Sequence, residues 1–101
     1  MIDKLIANEL DRANTIHRDY FASAHEGKSV IEEEVEEANE AMGMVARRLD
    51  HLWTAVKGDD VRGQMQSIQQ IRKYAKYAAT ELIQVCAMCD KFVKSFEEEN
   101  E

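Results

Sequence analysis

The sequence contains no proline and only four glycines in 101 residues. An all-β domain needs turn residues at roughly every tenth position, and this chain does not supply them. Cysteine is scarce too: Cys86 and Cys89 are the only two, which rules out a disulfide framework. No stretch approaches the apolar length of a membrane span. Asp3, Lys4, Glu9, Asp11 and Arg12 interrupt the N-terminal region and exclude a signal-peptide core. These absences predict a cytoplasmic protein with no membrane partner. Basic residues are in the minority, 13 Lys+Arg against 20 Asp+Glu, for a net charge of −7. Such a surface excludes a sequence-independent grip on a nucleic-acid backbone. An acidic chain that binds an anionic nucleotide does so by recruiting a divalent cation.

What is present is helical patterning. Hydrophobic residues at 45% and charged residues at 33% suit one globular domain spanning 1–101. Ile2, Leu5, Ile6, Leu10, Ala13, Ile16, Tyr20 and Phe21 predict a first helix from Ile2 to Ala22. A break is expected at His25-Glu26-Gly27, with Gly27 in a turn. A second helix is expected from about Lys28 to Lys57 around the core-facing seam Ile31, Val35, Ala38, Met42, Val45, Leu49, Leu52 and Val56. Gly58-Asp59 marks the next joint, with Asp59 or Asp60 capping a third helix from Val61 to Phe96. Residues 97–101 are read as a frayed acidic tail, because negative charge at a helix C-terminus opposes the dipole. The expected fold is all-α, a small bundle of three main helices. Apolar surface left on the second and third helices predicts its completion in a homodimer or homotetramer.

Polar residues interrupt this pattern in two places. Glu34 and Glu37 lie within a second stripe of helix two beside its seam, with Glu33 just outside it. Glu81 falls on the edge of the apolar sector of helix three, and Gln84 follows one turn later. Counted outward from the Gly58-Asp59 joint, Glu37 comes level with Glu81 and Glu34 with Gln84. Several carboxylate and amide oxygens at one height between helices make a site for a hard cation. The competing reading is a solvated acidic face. Cys86-Ala87-Met88-Cys89 is read as a pair of small core residues rather than a zinc or redox site, because no paired histidines supply further ligands. Met42, Met44, Met65 and Met88 are read as core filling.

The run Glu33-Glu34-Val35-Glu36-Glu37 resembles the EExxE helix of the MazG-like, all-α nucleoside triphosphate pyrophosphohydrolases, relatives of the dimeric dUTPases. Glu81-Leu82-Ile83-Gln84 stands where that family carries ExxD, with glutamine in place of the aspartate. The resemblance covers about Phe21 to Phe92. It implies hydrolysis of a nucleoside triphosphate to a monophosphate and pyrophosphate with Mg²⁺, Mn²⁺ being an alternative. It further implies that Glu33, Glu34, Glu37 and Glu81 act at the reacting centre, with Glu34, Glu37, Glu81 and Gln84 around the metal. Lys28, Lys73, Lys91 and His25 are candidates for phosphate contact, and Tyr20, Phe21, Trp53, Tyr74 or Tyr77 for the base. The alternative is a non-catalytic helical bundle of the same fold with a degenerate metal site.

Overall fold

A computed structural model describes residues 1–97. Its regular structure, among the described residues, consists of three helices: α1 (Ile2–Ile16), α2 (Ala24–Lys57) and α3 (Val61–Phe96). The all-α expectation holds. No described helix is long and apolar enough to cross a membrane. Apart from Glu97, the expected acidic tail lies outside the described residues.

The first joint differs from the sequence reading. α1 stops at Ile16, where His17 takes an extended conformation and its N–H still reaches Ala13 O at 2.9 Å. Thr15 turns its hydroxyl onto Arg12 O at 2.6 Å. A β-branched pair, Thr15-Ile16, with that local hydrogen bond weakens the last turn. α2 then starts at Ala24, before the glycine rather than after it. Ser23 caps it, its Oγ accepting from the Glu26 N–H at 3.1 Å. Gly27 therefore sits inside α2, not in a turn. It is buried there, and a Cβ would lie 2.6 Å from Phe92 Cδ2 and 3.0 Å from Phe21 Cδ2. The glycine is needed for close approach of two aromatic rings.

The second joint is as expected, with one refinement. Asp60 N–H bonds Ala55 O at 2.9 Å and Asp59 N–H bonds Val56 O at 3.2 Å, the paired bonds of a Schellman end. The left-handed residue is Asp59, with φ 53°, and not the neighbouring glycine. Asp60 then caps α3 by accepting from Gly63 N–H at 2.9 Å.

The chain divides into two compact units. The first holds, among the described residues, 1–36 and 81–97. Its core is Ala13, Phe21, Ala87 and Met88, with Ile6, Leu10, Val30, Ile31, Phe92 and Phe96 packed around it. Phe21 is drawn in by its N–H bond to Ser95 Oγ at 2.8 Å. The second unit, residues 37–80, is a helical hairpin that buries Ala38, Ala55, Ala78 and Ser67. In the seam expected to face inward on α2, Val35, Met42, Leu49 and Val56 are exposed. On α3, Leu82 and Cys89 are exposed as well. Met88 is core and Met44 half-buried, whereas Met42 and Met65 lie on the surface. The other half of the α2 seam, Ile31, Ala38, Val45 and Leu52, is buried or half-buried, so the expected seam of α2 is divided between an inward and an outward face.

Candidate metal centre

Glu34 on α2 and Glu81 and Gln84 on α3 are half-buried, because each lies at the margin of an inward-facing stripe. The Gln84 amide joins them; assigned with its nitrogen toward the two carboxylates, it donates to Glu34 Oε2 at 2.7 Å and to Glu81 Oε2 at 2.8 Å. With carboxylate acceptors on both sides, only the NH₂ end satisfies this position. Glu37, one turn on from Glu34, is exposed. Glu34, Glu37 and Glu81 each offer a carboxylate oxygen, and these oxygens lie within 4.8 Å of one another. Glu33 is exposed and stands outside this trio. An all-oxygen donor set fits Mg²⁺ or Mn²⁺ by chemistry, with water completing the shell. Gln84 would have to turn its amide over to present oxygen as a ligand.

α1 adds two residues that sequence reasoning missed. Glu9 and Arg12 form an ion pair, with Arg12 Nη2 to Glu9 Oε1 at 2.6 Å and Nε to Oε2 at 3.0 Å. The Arg12 guanidinium holds the Glu9 carboxyl below its usual value, against the upward push of partial burial. Glu9 in turn keeps Arg12 firmly protonated, and the charge of Glu34 adds to this. The signal was an i,i+3 Glu-x-x-Arg pair, which on an amphipathic helix reads as ordinary surface decoration.

Beside Glu34 lies a cavity of about 520 Å³, lined among others by Arg18, Tyr20, Phe21, Glu33 and Lys91. Lys91 is 4% exposed, with its Nζ 4.8 Å above the Phe21 ring. Arg18 pairs with Glu26 at 3.1 Å. Of the four residues expected to contact phosphate, Lys91 is the one in this lining. Lys28 pairs with Glu32 one turn along and borders a separate, smaller cavity with Ile31 and Phe92. Lys73 belongs to residues 37–80, its Nζ 5.4 Å over Tyr74. His25 is exposed in the first turn of α2, and it is His17 that lines the cavity. Among the aromatic candidates, Tyr20 and Phe21 are here, whereas Trp53, Tyr74 and Tyr77 belong to the hairpin.

A larger cavity of about 790 Å³ lies in the hairpin, lined by Arg48, His51, Gln66 and Ser67 among others. Asp60 is the one carboxylate there, and its Oδ1 is already engaged in capping α3. That donor set does not suit a hard cation. Cys86 and Cys89 are exposed rather than core. Partial burial pushes the Cys89 thiol up, away from the reactive thiolate. Comparison with known proteins adds nothing to this geometry: no family model, curated protein or solved structure matches the chain.

Proposed function

We propose that the protein is a Mg²⁺-dependent nucleoside triphosphate pyrophosphohydrolase, with its reacting centre at Glu34, Glu37 and Glu81. The observation that carries this reading is the convergence of three carboxylate oxygens within 4.8 Å, with Glu34 also lining a cavity that contains cationic and aromatic side chains. A bound Mg²⁺ would neutralise phosphate oxygens and acidify an attacking water. The carboxylates of Glu34, Glu37 and Glu81 would hold that ion, and one of them would accept the proton the water loses. The water oxygen would bond to the α-phosphorus as the bond from that phosphorus to the α,β-bridging oxygen breaks, and pyrophosphate would leave carrying that oxygen. Lys91 and Arg18 meet the negative charge of the phosphates on the cavity side. Tyr20, exposed and lining the cavity, is the surface on which a base can stack. Phe21 is buried and serves Lys91 instead.

The test is direct. The protein is incubated with each common nucleoside triphosphate and Mg²⁺, and pyrophosphate is assayed separately from orthophosphate. Pyrophosphate with a matching monophosphate supports the reading, and Glu34→Gln should abolish it. Orthophosphate alone, or no turnover of any nucleotide, counts against it.

One observation favours a second reading, a non-catalytic bundle of the same fold. Gln84 hydrogen-bonds Glu34 and Glu81 with a neutral donor, and so relieves the carboxylates without a cation. Calorimetry with Mg²⁺ and Mn²⁺ separates the two readings, since this one predicts no binding heat.

A further inference from the structure

The cavity of about 790 Å³ lies in the hairpin of residues 37–80 and takes no part in the proposed reaction. Steps of three and four put Arg48, His51 and Ala55 on one side of α2, and Gly63, Ser67 and Gln70 on one side of α3. All six line the cavity. Counted outward from the Gly58-Asp59 joint, Arg48 comes level with Gln70, His51 with Ser67 and Ala55 with Gly63. A Cβ on Gly63 would stand 3.3 Å from Ala55 Cβ, in keeping with that register. Two of the lining groups lack a partner. Among the described residues, the buried side-chain polar atoms without a hydrogen bond are Asn14 Oδ1 and Arg48 Nε, and only the second belongs to a charged group. Arg48 enters none of the ion pairs of the described residues, and its Nη1 lies 3.3 Å from His51 Nδ1. Ser67 is 8% exposed, yet its hydroxyl does not turn onto a carbonyl one turn back as those of Thr54 and Thr80 do. A buried N–H of a charged group without an acceptor is costly, and an unused hydroxyl beside it points the same way.

We propose that this cavity binds a small organic carboxylate, gripped by Arg48 and met by Ser67 and Gln70. Three features select that ligand. The first is the balance of donors. Arg48, Ser67 and Gln70 offer N–H and O–H groups at neighbouring levels, whereas Asp60, the one carboxylate of the lining, is engaged in capping α3. Asp60 also stands at the joint, about three turns of α2 away from Arg48, and leaves the guanidinium without a counter-charge. The second is shape. His51 takes the Nη1 end of Arg48, which leaves the edge formed by Nε and Nη2. The parallel N–H bonds of that edge match the two oxygens of a carboxylate. The third is charge. One guanidinium balances one negative charge, and a phosphate monoester, at about −1.5 to −2, would leave an excess on a chain of net charge −7. Thr54, Gln66 and Gln69 line the remaining space, which suits a carboxylate that carries hydroxyl or amide groups. None of Glu34, Glu37 and Glu81 lines this cavity, so the proposal is independent of the catalytic reading.

NMR of the nitrogen-15-labelled full chain tests this through the Arg48 Nε–H and Gln70 side-chain amide signals. Sodium acetate and sodium lactate, titrated at fixed ionic strength, should move both signals along saturating curves, with lactate binding more tightly than acetate. Sodium phosphate should bind about 10-fold more weakly than lactate, and sodium chloride should give no saturation. Arg48→Lys keeps the charge and loses the fork, so lactate binding read at Gln70 should weaken by about 10-fold. Arg72→Lys, at an exposed position outside the lining, should leave it unchanged. Linear shifts common to all four salts would overturn the proposal, because water and screening ions would then serve the guanidinium. Tighter binding of phosphate than of either carboxylate would overturn it as well, as would equal lactate binding by Arg48→Lys. The titrations of the wild type decide the question even if Arg48→Lys fails to fold.

Discussion

With its amide assigned nitrogen-first, Gln84 donates to Oε2 of Glu34 at 2.7 Å, so a neutral donor on α3 holds a carboxylate on α2. Gln84→Glu keeps the shape, removes both donated hydrogen bonds and adds a fourth carboxylate to the cluster of Glu34, Glu37 and Glu81. Without divalent cation, the variant should lose about 1–3 kcal/mol of stability, measured by urea denaturation. Adding Mg²⁺ should restore it and raise the melting temperature by mass action. Equal loss with and without Mg²⁺ would show that the cluster does not take the ion.

Glu37→Gln isolates charge at the exposed edge of the same cluster. In metal-free buffer it should be neutral or mildly stabilising, as it relieves repulsion between carboxylates. Mg²⁺ should then stabilise the variant much less than the wild type. Indistinguishable calorimetric titrations of the two proteins would remove Glu37 from the site.

Gly27→Ala tests the close approach of α2 to the aromatic pair Phe21 and Phe92. Alanine favours a helix by about 1 kcal/mol over glycine. Here its methyl meets Phe92 Cδ2 at 2.6 Å, and overpacking of this kind costs about 1–3 kcal/mol. The expected net change is a loss of roughly 1 kcal/mol in chemical denaturation. A gain in stability would mean that the rings yield freely.

Asp59→Gly should act in the opposite direction. A non-glycine residue at φ 53° carries a steric cost that glycine lacks, offset in part by glycine's freedom in the unfolded chain. A gain of roughly 0.5 kcal/mol is expected, read as a higher melting temperature. Asp60→Ala, which removes the α3 cap, should cost about 1 kcal/mol.

The Glu9–Arg12 pair sets a pH dependence. Glu9 has a folded-state pKa below its unfolded value of 4.5, chiefly through Arg12. Its contribution is therefore complete above that value and is lost as pH falls through the depressed folded pKa. A melting curve series from pH 6 to pH 2.5 should fall more steeply for the wild type than for Glu9→Gln. Parallel slopes would show that the pair contributes nothing measurable, as many exposed pairs do.

Local chemistry made much of the molecule legible. Gly58-Asp59-Asp60 announced the hairpin, and counting outward from it brought Glu34 level with Gln84. The first joint was misread although its signal was present. Ser23-Ala24-His25-Glu26 has the form of a capping box, and Ser23 does cap α2. Glycine's preference for turns outweighed that signal at Gly27, where the actual constraint is the ring of Phe92, distant in the chain. Lys91 was one of three candidate lysines in the sequence, and burial over Phe21 is what distinguishes it from Lys28 and Lys73.

Periodicity and end signals, which act between neighbours along the chain, determined by themselves the helical class, the span of α3 and the pairing of Glu34 with Gln84. Tertiary structure alone decided how the expected seam of α2 divides between an inward and an outward face, why Cys86 and Cys89 lie outside, and how Glu9 and Arg12 of α1 come to stand beside the acidic cluster. The reason is physical. Ile31, Ala38, Val45 and Leu52 on one face and Val35, Met42, Leu49 and Val56 on the other belong to one apolar seam, so only the surface that packs against the first set tells them apart.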